Sequence, residues 1–535
     1  MPKAKASVVL VYPNLSHIGL SNMGFVSVFR ELSSVPGLNC ERAFLQPERT
    51  TPRTIESNLP ISKFGTVAFS ISFENDYLNL LKILFLSGIN PLREERGEGD
   101  PLIVCGGVAP TLNPLPLVPF VDAFFLGEGE SEIAKLGEAL VRNAIPGKEA
   151  LLEELGDSQF FFIPKYWTAG QSARPRRNWI RSLDEFETFA VVGGAKSPLG
   201  SMLLVELGRG CGRGCRFCAA GCIYRPPRNR KLDSVLGTVK RNTGDVRAVG
   251  LVSASVSDYP SIDTVSERIH ALGKRVSISS MRADSVTKTA SAMKSLLSTI
   301  SSSGTKSIAL APEIGTERMG NVVNKRLNVR AFLDTVQAAG EAGIGEVKLY
   351  FLIGLPLEQR EDIDAIGDLV SSAQNAFAGD WGSRRQRRLT VSVNPFVPKP
   401  WTPFQWAGME REDELEEKMN IFKRSLSRKR GVKLILKSIR QAIIQAAIAR
   451  GDDRLGMGLF HREKEGIQFR FALRRVGIDI ENHVHEPRPV NSEFPWEIID
   501  SGIERSFLLK EYARAKEGQS SPECDVTTCK LCGVC

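Results

Sequence analysis

Apolar and polar positions along this chain fall into two recurring patterns. Short, continuous apolar runs end at proline or glycine. Longer stretches follow them in which apolar residues recur every three or four positions. The first pattern is that of a strand buried on both faces, the second that of an amphipathic helix. The run at 8–12 ends at Pro13 and precedes helical periodicity over 24–32. The run at 67–72 precedes a helix at 77–86. The run at 102–105 closes on Gly106 and Gly107, and the run at 123–126 closes on Gly127-Glu128-Gly129-Glu130 before a helix at 133–141. Repetition of strand, loop and helix predicts an α/β fold, here a doubly wound, Rossmann-like sheet over residues 1–150. Its ligand-binding loops would lie outside the carboxyl ends of the strands, at 13–19, 73–76, 106–111 and 127–130. Residues 151–197 read as a connector. From 198 the alternation restarts, with strands at 203–206, 248–252, 276–279, 307–311, 347–353 and 390–393 and helices at 262–272, 285–297 and 329–342. Six such units predict a partial, TIM-like (β/α)6 barrel over 198–430, with chemistry at the carboxyl-terminal strand ends. Residues 412–450 read as a long helix broken near Gly431, and 431–535 as a small α-rich region with a cysteine-rich tail.

Composition adds limits. With 42% hydrophobic and 24% charged residues the 535-residue chain is of ordinary globular make-up. No run approaches the roughly 18 apolar residues of a spanning helix, and the run after Lys5 is too short for a signal-peptide core, so a cytoplasmic location is expected. The net charge of +9 permits an anionic partner such as RNA without indicating one. Basic runs at 384–388 and 423–433 read as solvated faces.

The cysteines change the picture most. Of ten, Cys40 and Cys105 are isolated, four lie within 211–222 and four within the last twelve residues. Clusters of this kind in a reducing compartment hold metal more often than disulfides. Cys211, Cys215 and Cys218 are spaced C-x3-C-x2-C in a glycine-rich loop. Three thiolates so placed can ligate three irons of a cubane and leave the fourth open for chemistry. Arg209, Arg213 and Arg216 would favour the thiolate state. The alternative is a zinc loop with Cys222 as fourth ligand. Cys524, Cys529, Cys532 and Cys535 can close around one further centre, a second [4Fe-4S] cluster or a structural zinc.

A C-x3-C-x2-C motif after a first barrel strand, with Phe217 before the last cysteine, resembles the radical S-adenosylmethionine (SAM) superfamily. The resemblance implies a catalytic [4Fe-4S] cluster on Cys211, Cys215 and Cys218. SAM would be chelated at the open iron and cleaved reductively to a 5′-deoxyadenosyl radical, with electrons from a reductant such as ferredoxin or flavodoxin. It further implies a SAM-amine contact in the segment 251–258, where Ser253 and Ser255 are the candidates because the family's Gly-Gly-Glu is missing. Arg282 would meet the SAM carboxylate, Glu313 and Arg318 a further SAM-side loop, and Ile353 and Gly354 the adenine. Gly106, Gly107, Gly127 and Glu128 resemble the cobalamin-binding domain that precedes many radical SAM domains, the glycines allowing close approach of a corrin. His17 lacks the flanking Asp and Gly of the usual axial-histidine motif, so no histidine ligand is expected from it. With the cysteine tail, the chain resembles a branch of cobalamin-type radical SAM proteins. The expected activity is that of a cobalamin-dependent methyltransferase acting on an unactivated carbon of a small or macromolecular substrate, or of an enzyme catalysing a related rearrangement. The alternative is an RNA-modifying, methylthiolase-like radical SAM enzyme.

Overall fold

The computed structural model describes residues 5–47, 50–145, 147–167, 174–193, 201–278, 281–282, 290–378 and 387–534. Two compact units emerge. One comprises Met1–Arg181 together with Ile444–Gly502, the other Ser182–Ile443 together with Ile503–Cys535.

In the first unit strands β1 (Ala6–Tyr12), β2 (Leu38–Phe44), β3 (Thr66–Ser70), β4 (Leu102–Gly106), β5 (Ala123–Phe125) and β6 (Phe161–Phe162) form one sheet in the order β2-β1-β3-β4-β5-β6. All neighbours are parallel except β5 and β6. The continuous apolar runs are strands because helices cover both faces. On one face Leu10, Tyr12, Phe25, Leu32, Phe44 and Val104 share a buried core. The chain order reverses between β1 and β3, which is where such sheets open a ligand crevice. Strand β2 escapes a reading by apolar run. Its Asn39, Cys40, Glu41 and Arg42 sit on an edge, where only one neighbour must be matched.

The division of the chain departs from the boundaries expected at 150, 197 and 430. The connector divides at Arg181, and the region 431–535 contributes to both units. The cause is a set of long-range contacts that no local pattern encodes. The Asn113 amide donates to Ala449 O at 3.1 Å and Gly451 O at 2.8 Å. Arg177 Nε donates to Ser501 O at 3.0 Å. The Phe460 ring lies against Phe85 and Phe120.

The second unit carries strands β7 (Phe189–Val192), β8 (Met202–Glu206), β9 (Gly208–Arg209), β10 (Arg228–Asn229), β11 (Ala248–Val252), β12 (Arg275–Ile278), β13 (Ser307–Glu313), β14 (Glu346–Ile353), β15 (Arg388–Pro395) and β16 (Val432–Leu436). Strands β12-β11-β8 run parallel, as do β13-β14-β15-β16, and a parallel bridge from Met281 to Leu310 joins the two sets. The six expected strands are present in the expected order within a mixed α/β architecture. Strand β7 adds an antiparallel edge beside β8. Strand β16 replaces the middle of the helix expected over 412–450, which is instead Glu412–Leu426 and Ile439–Ala449. The residues after Gly431, Val-Lys-Leu-Ile-Leu, suit an edge strand beside β15. The proline- and aromatic-rich stretch 398–406 is a packed loop, with Phe404 and Trp406 fully buried. The basic run 384–388 lies mostly outside the described residues; within it Arg387 donates to the carbonyls of Gly340, Phe377 and Ala378. Among the described residues no helix is long and apolar enough to cross a membrane.

Candidate active site

Strand β8 ends at the cysteine loop, and the short antiparallel pairing of β9 with β10 closes that loop at its base. Gly210 turns the chain with φ +75°, and a Cβ there would lie 2.3 Å from Tyr224 O. Gly210→Ala is therefore expected to cost roughly 1–2 kcal/mol in backbone strain alone, and more through the collision. Lower iron content after anaerobic reconstitution, at unchanged far-UV circular dichroism, would report the distorted loop. Cys218 caps the helix Ala219–Ile223, its Sγ accepting from Gly221 N at 3.4 Å. Phe217 packs against a core that includes Ile314, Met319, Val323 and Leu355. Arg216 is wholly buried. It reaches Glu511 Oε2 through Nε and Nη2, both at 3.1 Å, and the carbonyls of Asn321 and Val322 at 2.8 and 3.0 Å.

The thiols lie close enough to act on one another. Burial pushes Cys218 up to about 12, with Cys215 adding to the effect. Burial also raises Cys211, against the opposing charge of Arg282. Arg209, Arg213 and Arg216, expected to favour the thiolate state, are themselves engaged in ion pairs. Each arginine is engaged by a carboxylate, Glu206 at 2.7 Å, Asp258 at 2.7 Å and Glu511 at 3.1 Å respectively, with Glu206 shared with Arg230 and Glu511 with Arg514. Metal ligation, which replaces the thiol protons, suits these groups better than free ionisation does. Among the described residues no three His, Cys, Asp or Glu side chains are arranged to hold a single metal ion. A cubane asks for something different, one thiolate on each of several irons.

In the first unit the crevice between β1 and β3 is polar. Asn14 Nδ2 and Asn79 Nδ2 each donate to Asp76 Oδ1 at 2.9 Å. Asn22 Nδ2 donates to Ser72 Oγ at 3.1 Å, and Gln445 Nε2 to Glu74 Oε2 at 2.9 Å. Asp76 Oδ2 is buried with no hydrogen-bond partner. Burial pushes Asp76 up to about 6, against its two asparagine donors. For an acid whose folded value lies above the unfolded one, the contribution to stability is full below about pH 4 and lost as pH rises through about 6. Stability is therefore expected to fall by about 2 kcal/mol between pH 4.5 and 7.5 from this residue, and Asp76→Asn to remove that part of the slope in urea titrations.

Residues 205–370 match the Radical SAM superfamily. Residues 24–164 match the family described as radical SAM proteins, N-terminal. The uncharacterized protein MJ0966 of Methanocaldococcus jannaschii is 28% identical over 459 residues, which span 85% of this chain and 91% of that one. The radical SAM methyltransferase TsrM from Kitasatospora setae, solved with cobalamin and a [4Fe-4S] cluster bound, shares the fold. Its TM-score is 0.51 at 12% identity, over 96% of this chain and 99% of that one.

Within the radical SAM domain the other sequence-predicted residues divide into two groups. Ser253 and Ser255 are half-buried at the carboxyl end of β11, and Ser255 Oγ donates to Asp258 Oδ2 at 2.7 Å. The Arg282 backbone N–H donates to Ser257 Oγ at 3.0 Å, and its charge acts on both Cys211 and Arg213. Ser255, through Asp258 and Arg213, and Arg282 are thereby tied to the cysteine loop. The second group is engaged elsewhere in the unit. Arg318 pairs with Asp362 and donates to Leu357 O at 2.9 Å. Gly354 N–H donates to Glu358 Oε2 at 2.7 Å, and a neighbouring Leu415 methyl crowds the place a Cβ would take. The Ile353 side chain is fully buried. Glu313, at a bulge in β13 with φ +69°, faces Lys325 at 3.4 Å. Asp258, the one acid in the segment 251–258, accepts from Ser255 and pairs with Arg213 of the cysteine loop.

The glycines expected to approach a corrin approach the protein's own backbone. A Cβ on Gly127 would meet Asn178 O at 2.2 Å, and one on Gly107 would meet Ile71 O at 2.4 Å. Gly106 pairs with Ser70 at the end of β4. The buried Glu128 accepts from Ile180 N at 3.0 Å. These four residues stitch the sheet to residues 178–180 and to the loop after β3. The crevice side chains come from the loops after β1 and β3, with Asn14, Asn22 and Ser72, and from the helix Asp76–Leu86 that follows, with Asp76 and Asn79. His17 is exposed on the short helix Ser16–Gly19. Cys535 lies outside the described residues.

Proposed function

We propose that this protein is a radical SAM enzyme that reductively cleaves S-adenosylmethionine at a [4Fe-4S] cluster on Cys211, Cys215 and Cys218. With cobalamin held by its first unit, it methylates an unactivated carbon. The observation that carries the reading is the placement of three mutually interacting thiols on one glycine-turned loop at the carboxyl end of β8, inside the stretch that matches the superfamily. When bound, the cluster and SAM supply a 5′-deoxyadenosyl radical from a one-electron donor such as ferredoxin or flavodoxin, and cobalamin supplies a methyl carrier.

The chain's own residues bind and orient. Asp258, with Ser255 beside it, offers the negative charge that the SAM ammonium requires and that the missing Gly-Gly-Glu does not. Arg282 offers the guanidinium for the SAM carboxylate. Phe217 and Arg216 pin the loop between its last two cysteines to the core, so that the thiols are held before the cluster arrives. In the first unit, amide and hydroxyl groups around the β1/β3 crevice suit a ligand rimmed by carboxamides, and Asp76 Oδ2 is an acceptor in want of a donor. Those residues fit cobalamin, and the fold shared with TsrM supports the architecture needed to hold it. The tail cysteines are read as a second metal centre, [4Fe-4S] or zinc.

The test is anaerobic. The reconstituted protein, reduced with dithionite in the presence of SAM, is expected to release 5′-deoxyadenosine, and to retain hydroxocobalamin through gel filtration at about one per chain. Absence of 5′-deoxyadenosine overturns the SAM reading. Cleavage without cobalamin retention overturns the methyl-transfer reading alone.

A further inference from the structure

The parallel strands β13 to β16 have two unlike faces. In β14 burial alternates strictly. Val347, Leu349, Phe351 and Ile353 are fully buried, whereas Glu346, Lys348 and Leu352 are half-buried and Tyr350 is 37% exposed. Successive side chains of a strand point to opposite faces, so Lys348, Tyr350 and Leu352 stand in file on the open one. Register carries the file across the sheet. Lys348 pairs with Thr390, and Thr390 with Lys433, so the two lysines share one row. Tyr350 pairs with Ser392, and Ser392 with Ile435, which makes the next row toward the carboxyl ends. On the other side of β14 the partner of Lys348 is Ala309, whose methyl leaves that side of the row open. At the top of the file Leu352 packs against the same core as Phe217 of the cysteine loop. Lys348 lies four residues, about 13 Å, before it along the strand. The open face therefore runs from a basic row up to the loop of the proposed cluster.

The charges on this face do not balance. Glu346, two residues before Lys348, is already engaged, accepting from Thr390 Oγ1 at 2.6 Å and pairing with Arg388 at 3.1 Å. Lys348 acts on it from beyond ion-pair distance. Glu313, past the bulge of β13, faces Lys325 at 3.4 Å. Among the described residues the side chains of Lys348 and Lys433 have no hydrogen bond or ion pair. Residues two strands apart in one row are separated by about 10 Å. Two flexible four-carbon stems can converge across that gap on one group, each bringing a point charge to phosphate or carboxylate oxygens.

We infer that this face is the wall of the substrate cavity and that the substrate is an elongated small-molecule anion. A group with two oxyanions, as in a diphosphate or a dicarboxylate, sits between Lys348 and Lys433. An apolar or ring portion lies against Tyr350 and Ile435, and the reacting carbon points up to the cysteine loop. The last of these rests on the radical SAM reading, whereas the anion contact does not.

The test uses the full chain, anaerobically reconstituted, pulsed with an acetylating reagent and mapped by peptide mass. Pyrophosphate or malonate is expected to slow acetylation of Lys348 and Lys433, while the exposed Lys63 and Lys510 react at the unliganded rate. The anion that protects at the lower concentration assigns the charged group. Lys348→Gln and Lys433→Gln are each expected to weaken calorimetric binding of that anion about tenfold at unchanged far-UV circular dichroism, the loss of one hydrogen bond to a charged group. Neither readout needs SAM to be cleaved, so a failed cleavage assay leaves both standing. Equal acetylation with and without both anions, protection that extends to Lys63 and Lys510, or unchanged affinity in both variants overturns the anion site. Protection of the two lysines by SAM alone returns them to the cofactor and overturns it as well.

Discussion

Cys218→Ser is expected to abolish 5′-deoxyadenosine formation while leaving the domain folded. The two roles of Cys218 separate in this variant. Its Sγ caps the helix Ala219–Ile223, and serine caps a helix at least as well as cysteine, so the local structure is kept. Its thiolate is one of three that hold the proposed cluster, and a serine hydroxyl does not replace it as a soft iron ligand. Product chromatography after dithionite reduction with SAM should show only the uncatalysed background. The circular dichroism and thermal transition of the metal-free protein should match those of the parent. A variant that keeps measurable cleavage would show that Cys218 is not a cluster ligand and would leave the three-thiolate reading without support.

Arg216→Met is expected to be the most damaging single change outside the cysteines. The guanidinium is fully buried and joins Glu511, Ser521 and two main-chain carbonyls from Asn321 and Val322. Removing it leaves the buried Glu511 with Arg514 at 3.0 Å and the Ser521 hydroxyl, but without the buried guanidinium that reaches it through two nitrogens. Breaking one side of a buried pair costs about 3–5 kcal/mol when the remaining charge is uncompensated; with Arg514 still beside Glu511 the loss is expected at about 3 kcal/mol, still a large part of the margin by which domains are stable. Arg360→Ala, which removes an exposed pair with Asp364 one helical turn away, should cost less than about 1 kcal/mol. Urea midpoints of the two variants against the parent would measure the contrast. Similar losses for both would mean that Arg216 is not the fastening its contacts suggest. The position explains why an arginine stands between two cysteines of the proposed cluster loop: it secures the loop to the helix Arg505–Lys516.

What the chain discloses by itself follows from which forces are local. Strands β1, β3 and β4 are largely buried, so their sequences are nearly continuous in apolar residues and stand out. Strands β2 and β16 are edges, where one side is unmatched and charged residues are tolerated; they read as nothing or as helix. The cysteine loop is legible because ligand spacing is a property of one short segment. The residues around it are harder to read because their partners are distant in the chain. Nothing near Arg318 announces Asp362, and nothing near Gly354 foretells that Glu358 and Leu415 occupy its surroundings. The same holds for Gly107 and Gly127. A glycine motif tells that a backbone approaches closely but not whose, and here it is Ile71 and Asn178. In the β1/β3 crevice the informative residues are asparagines and an aspartate scattered from 14 to 79, which have no spacing rule to mark them.

The return of residues Ile444–Gly502 to the first unit has a consequence for biosynthesis. At ordinary elongation rates, the roughly 260 residues separating Arg181 from Ile444 take about 15–50 s to emerge from the ribosome. Throughout that interval the nascent Rossmann-like sheet lacks the carbonyls that Asn113 and Arg177 bind and the ring that covers Phe85 and Phe120. The segment translated first is thus among the last to be completed, and a chain interrupted inside the barrel would leave an unsealed apolar surface for chaperones to guard.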